Sequence, residues 1–358
     1  MKKLFKEYWI FIAILAIPYL FIVISSFVKV NYDLTAPASI TEVSENMEIA
    51  HSKQTNVHSV SVYSYSKISF LSYLLGTMNP YATIEETYEY QITDNQIEYQ
   101  SGLIQKKVSI YNSIIAGYQK AGINEIVDQN SFQGYIIHTL YKFSPVELKV
   151  GDIITSFNHV AFTTCTQQNE FSKVCSELTY EEGKTYPITV IRDGKLLEFN
   201  ISAKATNLDG NQPVFGISTY AYNVPVIFNE YNPYYYEWDY GNSIGPSAGL
   251  MQSLYVYEAL TNYRLTSGLK IVGTGTVDIF GYAGPIGGIY QKVITAHLSG
   301  ADIFFVPVSS MNKEEYIKES NYQEAYASYQ QLKNPKMQLI PVASLDDIIN
   351  YLESVKEQ

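Results

Sequence analysis

The sequence contains very little cysteine: Cys165 and Cys175 are the only thiols among 358 residues. Two cysteines are too few for the disulfide framework that holds small secreted domains together. The stretch between them reads as helix, and ten helical residues span about 15 Å, well beyond the roughly 7 Å that a bridge allows between Cα atoms. A disulfide would therefore require Cys165 to lie off the helix. Otherwise both thiols are expected to be packing residues.

Clusters of lysine and arginine are also missing. The chain has 24 basic and 35 acidic residues, a net charge of −11, and no basic block. Nucleic acid is therefore not an expected partner, because phosphate binding needs clustered cations. No Gly-x-x-x-x-Gly-Lys-Ser/Thr run occurs, which argues against a fused ATPase motor. The five histidines lack the spacing of metal ligands, so no metal and no other cofactor is predicted.

Charge is absent from residues 8–28, and this apolar run is long enough to cross the roughly 30 Å hydrocarbon layer as a helix. Lysines are concentrated in residues 1–7, so the positive-inside rule predicts a cytoplasmic tail there and an extracytoplasmic body. A cleaved signal peptide is the alternative, but its apolar region is usually about 7 to 15 residues long. We favour a single-pass anchor in the cell membrane. Residues 29–56, with Pro37 and little apolar periodicity, predict a tether.

The rest of the chain mixes strands and helices, which predicts an α+β protein. A strand at 57–68 and a helix at 106–121 come first. Short strands, including a hairpin at 186–201, and a helix near 167–178 then fill residues 126–206. Residues 207–358 alternate helices at 247–261, 288–299 and 345–355 with strands at 269–276, 303–306 and 337–342.

A sharp turn, Gly-Pro-Ser-Ala-Gly, precedes the apolar helix at 247–261. It would place the hydroxyl of Ser247 at a helix N-terminus, among backbone N–H groups that can stabilise an oxyanion. A serine there needs a base, and Lys292 follows 45 positions later. No carboxylate stands three or four positions from Lys292, although a solvated helix lysine often has one. Desolvation would lower its pKa from about 10.4 toward roughly 7 to 8, where the neutral amine can accept the serine proton.

Other interpretations of these side chains stay open. Lys292 alone would be an ordinary helix lysine, and Thr295, one turn on, is a weaker candidate for holding its amine. His297 would suggest a Ser–His pair, but it lies on a different helix face from Lys292, and a lone histidine on a packed helix is usually structural. The aromatic-rich stretch 229–240 would form a wall of a substrate groove or, more commonly, an edge strand or core-facing hairpin.

The serine and lysine runs, in this order and at about this spacing, resemble the proteolytic domain of Lon-type serine peptidases, which use a serine–lysine dyad. The resemblance is dense over residues 240–308, including Gly-Thr-Gly-Thr at 273–276, and loose elsewhere. It implies a peptidase with Ser247 as nucleophile and Lys292 as general base. The same resemblance assigns three residues to the active-site loop: Gly245, Pro246 and Ala248. The family usually has two glycines before the proline and this chain has one, which alters the oxyanion loop but leaves the dyad intact.

A second resemblance concerns residues 144–154, which are similar to the Ser-Pro-x-x-x-Leu-Lys-x-Gly-Asp-Ile stretch of bacterial PDZ domains. It implies that residues 126–206 form a PDZ-like module that captures extended peptides by strand addition. The backbone near Gly134, Tyr135 and Ile136 would then form the carboxylate nest. A small β-rich domain with a filled groove is the alternative.

Together with the membrane span, these features resemble most closely the membrane-anchored, ATP-independent YlbL/SepM-like branch of the Lon-type peptidases. The resemblance implies that residues 57–125 and 207–358 form the proteolytic domain, that exported peptides or proteins are the substrates, and that a homo-oligomer can form. Two alternatives remain. A tail-specific protease also pairs a PDZ module with serine and lysine, although its lysine usually follows the serine more closely. The other alternative is a catalytically silent PDZ scaffold.

Overall fold

A computed structural model describes residues 2–52, 55–92, 94–205, 213–241, 243–262, 265–266 and 268–356. Within these ranges the α-helices are α1 (Lys2–Phe27), α2 (Phe70–Thr77), α3 (Asn95–Lys120), α4 (Glu170–Ser176), α5 (Gly249–Thr261), α6 (Ile289–Leu298), α7 (Lys313–Tyr316), α8 (Ser320–Gln330) and α9 (Leu345–Lys356). The strands there are β1 (Tyr32–Glu42), β2 (Met47–Ile49), β3 (Val57–Tyr65), β4 (Thr83–Glu86), β5 (Phe132–Leu140), β6 (Ile153–Phe157), β7 (Val160–Ala161), β8 (Thr185–Arg192), β9 (Lys195–Ser202), β10 (Lys204–Ala205), β11 (Pro213–Val214), β12 (Ile217–Asn223), β13 (Tyr236–Trp238), β14 (Ile271–Gly273), β15 (Thr276–Val277), β16 (Ala283–Gly284), β17 (Ile303–Pro307) and β18 (Gln338–Val342). The predicted α+β class is confirmed.

Two six-stranded sheets are described. The one that carries the candidate site belongs to the larger part of the molecule, and we call it the larger sheet. Its six strands lie in the order β18-β17-β14-β3-β1-β4, parallel from β18 to β3 and antiparallel beyond. Side chains alternate between its two faces, as strand geometry requires. In β17, Phe305 joins the core formed with α3, α5 and α9, whereas Phe304 joins the core formed with α6 and α8. The sheet therefore lies between two helical layers.

The prediction that residues 29–56 form a tether is wrong for most of that range. Residues 32–42 form β1, which pairs with β3 on one side and β4 on the other. The register with β3 shifts between Pro37 and Ile40, where the proline has no N–H to give to the ladder. The sequence pattern did not predict this strand, because it contains polar residues and a proline and most of its side chains are only half-buried.

The second six-stranded sheet has the order β12-β5-β6-β8-β9, with β7 beside β6, and packs around its own aromatic and aliphatic core. We call it, together with α4, the small module. The predicted hairpin at 186–201 is present as β8 and β9. The predicted boundary at 206/207 lies outside the described residues. Strand β12 lies after that boundary, in the part predicted to be proteolytic, but it pairs with β5 of the small module.

The predicted peptide nest at Gly134, Tyr135 and Ile136 needs correction. These residues lie in β5, and both edges of the strand are occupied there, by β12 on one side and β6 on the other. The side chain of Tyr135 is buried in the core of the small module. A Cβ on Gly134 would lie 2.3 Å from the carbonyl oxygen of Ile154, so this glycine serves close strand packing. No edge is free at these residues for an added peptide strand.

The N-terminal helix α1 contains Tyr8–Phe27, a stretch long and apolar enough to cross a membrane. No other described helix meets these two conditions. Large apolar side chains project from α1 on all sides, and most are more than half exposed. The helix ends at Phe27 and the sheet strand β1 begins at Tyr32, so the span and the folded body are closely joined.

Candidate active site

Ser247 lies in a tight turn immediately before α5, two residues ahead of the first helical residue. Gly245 has a φ of 91°, a left-handed value that favours glycine, and Pro246 follows it. Ser247 itself is half-buried. Among the described residues, the N–H groups of Ser247 and Ala248 donate no hydrogen bond to the protein. Two donors at a helix N-terminus thus remain for a bound anion or oxyanion.

Thr274 connects the serine turn to the lysine helix. Its Oγ1 donates to the carbonyl oxygen of Ser247 at 3.0 Å and accepts a hydrogen bond from Nζ of Lys292 at 3.1 Å. The two bonds share one atom, so Nζ lies within about 6 Å of the Ser247 carbonyl oxygen. The neighbouring Gly275 N–H also donates to that oxygen, at 2.9 Å. The structure thus brings the Lys292 amine close to the backbone of Ser247.

Lys292 is one of the most buried charged residues described, with 2% of its surface exposed. It lies in α6, whose residues Ile289, Val293 and Ala296 pack into the core between the helix and the larger sheet. Burial lowers the pKa of Lys292 to about 7, and no acidic side chain opposes this shift. A large fraction of the amine is therefore neutral at neutral pH, which is the form that can accept a proton.

Helix α3 holds the serine turn from the opposite side. Residues 102, 106 and 109 follow the spacing of one helix face. The Gly102 carbonyl accepts the N–H of Gly245 at 3.0 Å, and Ser109 Oγ donates to the Pro246 carbonyl at 2.7 Å. Nζ of Lys106 donates to the backbone carbonyl of Ser243 at 2.8 Å and to that of Tyr240. This helix face therefore fixes the backbone on which Ser247 is carried.

Lys106 is itself buried, and burial lowers its pKa, while Asp239 acts in the opposite direction. Its contacts fall on the segment where the chain has one glycine fewer than the Lon-type pattern. The residue that replaces that glycine, Ile244, is half exposed and lies against Gly102, where a Cβ would be only 2.7 Å from Ile244 Cδ1. Lys106 and Gly102 together define the backbone path of this loop, which has one glycine fewer before Pro246.

The predicted supporting residues are placed differently from the dyad. Thr295 Oγ1 donates to the Gln291 carbonyl of its own helix at 3.0 Å, so its hydrogen bond goes to the helix backbone rather than to the Lys292 amine. His297 lies in the last turn of α6 and is half-buried. The threonine that contacts the amine, Thr274, belongs to the Gly-Thr-Gly-Thr run, which had carried the resemblance without an assigned role.

The aromatic stretch 229–240 follows the edge-hairpin interpretation. Its strand β13 pairs with β2, and Tyr236 and Trp238 pack against the core that contains α3. The two cysteines are free thiols. Cys165 does lie off the helix, in the loop before α4, where it accepts a hydrogen bond from Asn223 Nδ2 at 3.5 Å. Burial raises the pKa of Cys175, within α4, to about 12.

A cleft with a cavity of about 300 Å³ lies beside the serine turn. One wall is α3, with Val108 and Asn112, and Pro246 of the turn adjoins it. The hairpin β15–β16 and its loop form a second wall. The third wall comes from the small module, through β12 and the loop that contains Cys165. The cleft is therefore shared between α3, the β15–β16 hairpin and the small module.

Two hydrogen-bond acceptors in this cleft bear on what it can bind. Asn112 Nδ2 donates to the Val277 carbonyl at 3.0 Å, whereas its Oδ1 is buried with no hydrogen-bond partner among the described residues. Asp278 is the one charged residue in the lining that the structure describes. Its Oδ1 accepts the N–H groups of Phe280 and Tyr282, each at 2.9 Å, and burial raises its pKa. These groups favour a ligand that brings hydrogen-bond donors or positive charge.

Metal ligands do not gather anywhere in the ranges given above: three or more His, Cys, Asp or Glu side chains form no such group there. The chemistry available at the candidate site is that of a serine hydroxyl, a buried amine and backbone N–H groups.

Comparison with known proteins gives one similarity of note. The chain is 30% identical over 106 residues to the Lon protease of Aster yellows witches'-broom phytoplasma (strain AYWB). The match covers 30% of this chain and 12% of the phytoplasma protein. No protein-family model matches the chain. The similarity supports a relationship to Lon-type proteases, while the PDZ resemblance stays a prediction.

Proposed function

We propose that this protein is a membrane-anchored serine endopeptidase with a dyad of Ser247 and Lys292. The observation that carries the proposal is the buried Lys292 amine, which has no acidic partner among the described residues and is joined through Thr274 to the serine turn. A lysine costs free energy when buried, and such a group without an ion-pair partner is a recurrent feature of catalytic sites. The similarity to a Lon protease supports the same reaction class.

In the proposed reaction, the neutral amine of Lys292 takes the proton of the Ser247 hydroxyl as Oγ forms a bond to the scissile carbonyl carbon. The resulting ammonium gives the proton to the leaving amine when the C–N bond breaks. Water then hydrolyses the acyl-enzyme with Lys292 again as the base. Thr274 would position Nζ throughout, since it accepts a hydrogen bond from the amine in either protonation state.

The developing oxyanion would be held by the N–H groups of Ser247 and Ala248. They lie at the N-terminus of α5, where the helix dipole favours negative charge. Lys106 and Ser109 would fix the carbonyls on the other side of the turn, so that the two N–H groups point into the site. Positioning of this kind is worth about 3–4 kcal/mol per donor in serine proteases.

We further propose that α1 anchors the protein in the cell membrane with the body outside the cytoplasm. The length and apolar character of Tyr8–Phe27 support the span, and the lysines before it support the orientation. The absence of a P-loop in this sequence supports hydrolysis without ATP. Exported peptides or proteins would then be the substrates.

The cleft beside the serine turn would receive a substrate side chain next to the scissile bond. Its volume of about 300 Å³ is sufficient for one large side chain. Asp278 and the unpaired Oδ1 of Asn112 would favour a basic or amide side chain over an acidic one. Because β12 forms part of the wall, the small module would contribute to substrate selection directly.

The test uses the full-length protein in lipid nanodiscs. Purified protein is incubated with a mixed peptide library and, separately, with a serine-directed fluorophosphonate probe. We expect cleavage and probe labelling for the unchanged protein and for Ser253→Ala, and loss of both for Ser247→Ala. Ser253 is a matched control because it lies in α5 with its hydroxyl bonded to its own helix, at the Leu250 carbonyl. Equal cleavage by the two variants would contradict the proposal, and no cleavage by any form would favour a binding scaffold.

A further inference from the structure

A segment that packs beside the end of the N-terminal span also lacks charge. Residues 68–84 contain no Asp, Glu, Lys or Arg over 17 positions, between Lys67 and Glu85. It contains α2 and the turn after it, with leucine, methionine and tyrosine side chains. None of these residues takes part in the candidate active site.

This segment begins beside the end of α1. The N–H of Phe70 donates to the Val28 carbonyl at 2.8 Å, and the N–H of Val30 donates to the Ile68 carbonyl at 2.9 Å. Lys29 and Ser69 form an isolated antiparallel bridge between these bonds. The start of α2 is therefore held by backbone hydrogen bonds at the level where the apolar stretch of α1 ends.

The helix α2 has a packed side and an open side. Gly76 faces the larger sheet, where an added Cβ would lie 2.5 Å from Leu34 Cδ1 and 2.9 Å from Ile84 Cδ1. On the other side, Leu75 is 59% exposed and Met78 is 80% exposed, and Tyr81 in the following turn is 45% exposed. Large apolar side chains at this degree of exposure, without charges among them, are suited to an apolar or interfacial environment.

We propose that α2 and the turn through Tyr81 rest in the interfacial region of the outer leaflet, with Leu75 and Met78 in contact with lipid. The inference rests on the proposed membrane span of α1. If α1 crosses the bilayer, the backbone bonds between residues 28–30 and 68–70 place the start of α2 at the membrane surface. Tyrosine side chains are typical of this interface, since their rings are amphipathic.

The folded body would then contact the bilayer at two points, α1 and α2, instead of being attached through α1 alone. Helix α2 packs against β1 and β4 of the larger sheet, the sheet that also carries Thr274 at the end of β14. Contact of α2 with lipid would therefore set the height and tilt of the catalytic sheet above the membrane. Substrates would be limited to those that reach a cleft held at that height.

The experiment measures lipid contact at single labelled positions in the full-length chain. Cys165 and Cys175 are replaced with serine, and single cysteines are introduced as Met78→Cys, Leu75→Cys, Leu15→Cys and Leu196→Cys. Each is labelled with an environment-sensitive fluorophore in vesicles of phosphatidylcholine and phosphatidylglycerol, with or without brominated acyl chains. Leu15, 74% exposed in α1, reports the span, and Leu196, 63% exposed in the small module, serves as the matched exposed control.

We expect brominated lipid to reduce fluorescence at Met78, Leu75 and Leu15 and to leave Leu196 unchanged. Quenching at Leu15 with none at Met78 or Leu75 would overturn the inference while leaving the anchor intact. The same result accompanied by cross-linking between Met78→Cys copies would assign this surface to a second chain and equally overturn it. Lack of quenching at Leu15 would refute the anchor and this inference together, whereas the peptidase activity is measured independently by the Ser247 test.

Discussion

Nζ of Lys292 lies 3.1 Å from Oγ1 of Thr274, and the same oxygen donates to the carbonyl of Ser247. One threonine hydroxyl, completely buried, thus joins the base helix to the nucleophile turn. Replacing it with valine keeps the shape and removes both hydrogen bonds. A hydrogen bond to a charged or chargeable group is worth about 1.5–3 kcal/mol.

We therefore predict that Thr274→Val lowers kcat by roughly 10- to 100-fold with a small change in KM, and that Thr274→Ser retains most activity. Steady-state kinetics on a fluorogenic peptide measure both constants. Thr295→Val is the matched control, since that hydroxyl bonds only to its own helix at the Gln291 carbonyl. A Thr295 defect equal to the Thr274 defect would argue against the assigned role.

The second prediction concerns pH and activity. Because burial lowers the pKa of Lys292 to about 7, the neutral base becomes available as the pH rises through that value. We expect kcat/KM to increase tenfold per unit below about pH 7 and to level off above it. Lys292→Arg should abolish turnover, since a guanidinium does not give up its proton in this range. A flat profile between pH 5.5 and 8.5 would contradict Lys292 as the base.

The same pKa shift also predicts how stability depends on pH. The unfolded chain carries a lysine that is protonated up to about pH 10.4, whereas the folded chain releases this proton near pH 7. Between these values the unfolded state binds more protons, so this site destabilises the fold at low pH and does so less as the pH rises. Lys292→Met should remove this dependence and stabilise the protein by about 1–4 kcal/mol at neutral pH. Denaturant unfolding of both forms at pH 6.5 and 9 measures the difference.

Local patterns predicted the elements that bear the dyad, because each is bounded by glycine or proline and filled with apolar residues. Helix α6 and strand β17 lie within one or two residues of the predicted limits. The predicted continuous strand at 269–276 fails at Thr274 and Gly275, where the chain leaves the ladder and turns to the serine loop. Gly275 has a φ of 148° there. At this break, tertiary contacts of the site override the strand propensity of the sequence.

Sequence periodicity could not predict contacts between segments that are distant in the chain. The pairing of β12 with β5 joins residues about 80 positions apart and closes the edge on which the peptide nest had been predicted. The role of Lys106 depends on carbonyls more than 130 positions away, at Tyr240 and Ser243. In the sequence it is one of two adjacent lysines on a helix, and neither neighbour pattern nor charge distinguishes it from Lys107.

Those adjacent lysines provide the next prediction. Lys106→Met leaves two backbone carbonyls without their donor and frees the segment before Gly245, so we expect a stability loss of about 1–3 kcal/mol and a fall in kcat larger than the rise in KM. Lys107→Met should be close to the unchanged protein, because Lys107 lies above the rings of Tyr111 and Tyr222 at the surface of α3. Equal losses of stability and kcat in the two variants would indicate a general effect on α3 and would contradict the specific role of Lys106.

Substrate preference should depend on Asp278, the one charged residue in the cleft lining that the structure describes. Asp278→Asn keeps a side-chain oxygen that can accept the backbone N–H groups of Phe280 and Tyr282, and it removes the negative charge. We predict that kcat/KM for peptides with lysine or arginine next to the cut falls roughly 5- to 30-fold, about 1–2 kcal/mol, while a norleucine peptide is little affected. Asp193→Asn, in the β8–β9 turn, is the charge-matched control. Equal losses for charged and neutral peptides would contradict a charge-based preference.

Gly249 offers a test of the fit between α3, the serine turn and the hairpin strand β15. A Cβ at this position would lie 2.5 Å from Ser109 Oγ and 3.0 Å from Val277 Cγ1, so Gly249→Ala must displace the hydroxyl that holds the Pro246 carbonyl. Overpacking of this size costs about 1–3 kcal/mol, and here it acts two residues after the nucleophile. We predict a fall in kcat of at least about tenfold with the fold retained by circular dichroism. Gly287→Ala is the control, because nothing lies within 4 Å of a Cβ there. Full activity of Gly249→Ala would mean that the Ser109 contact does not position Ser247.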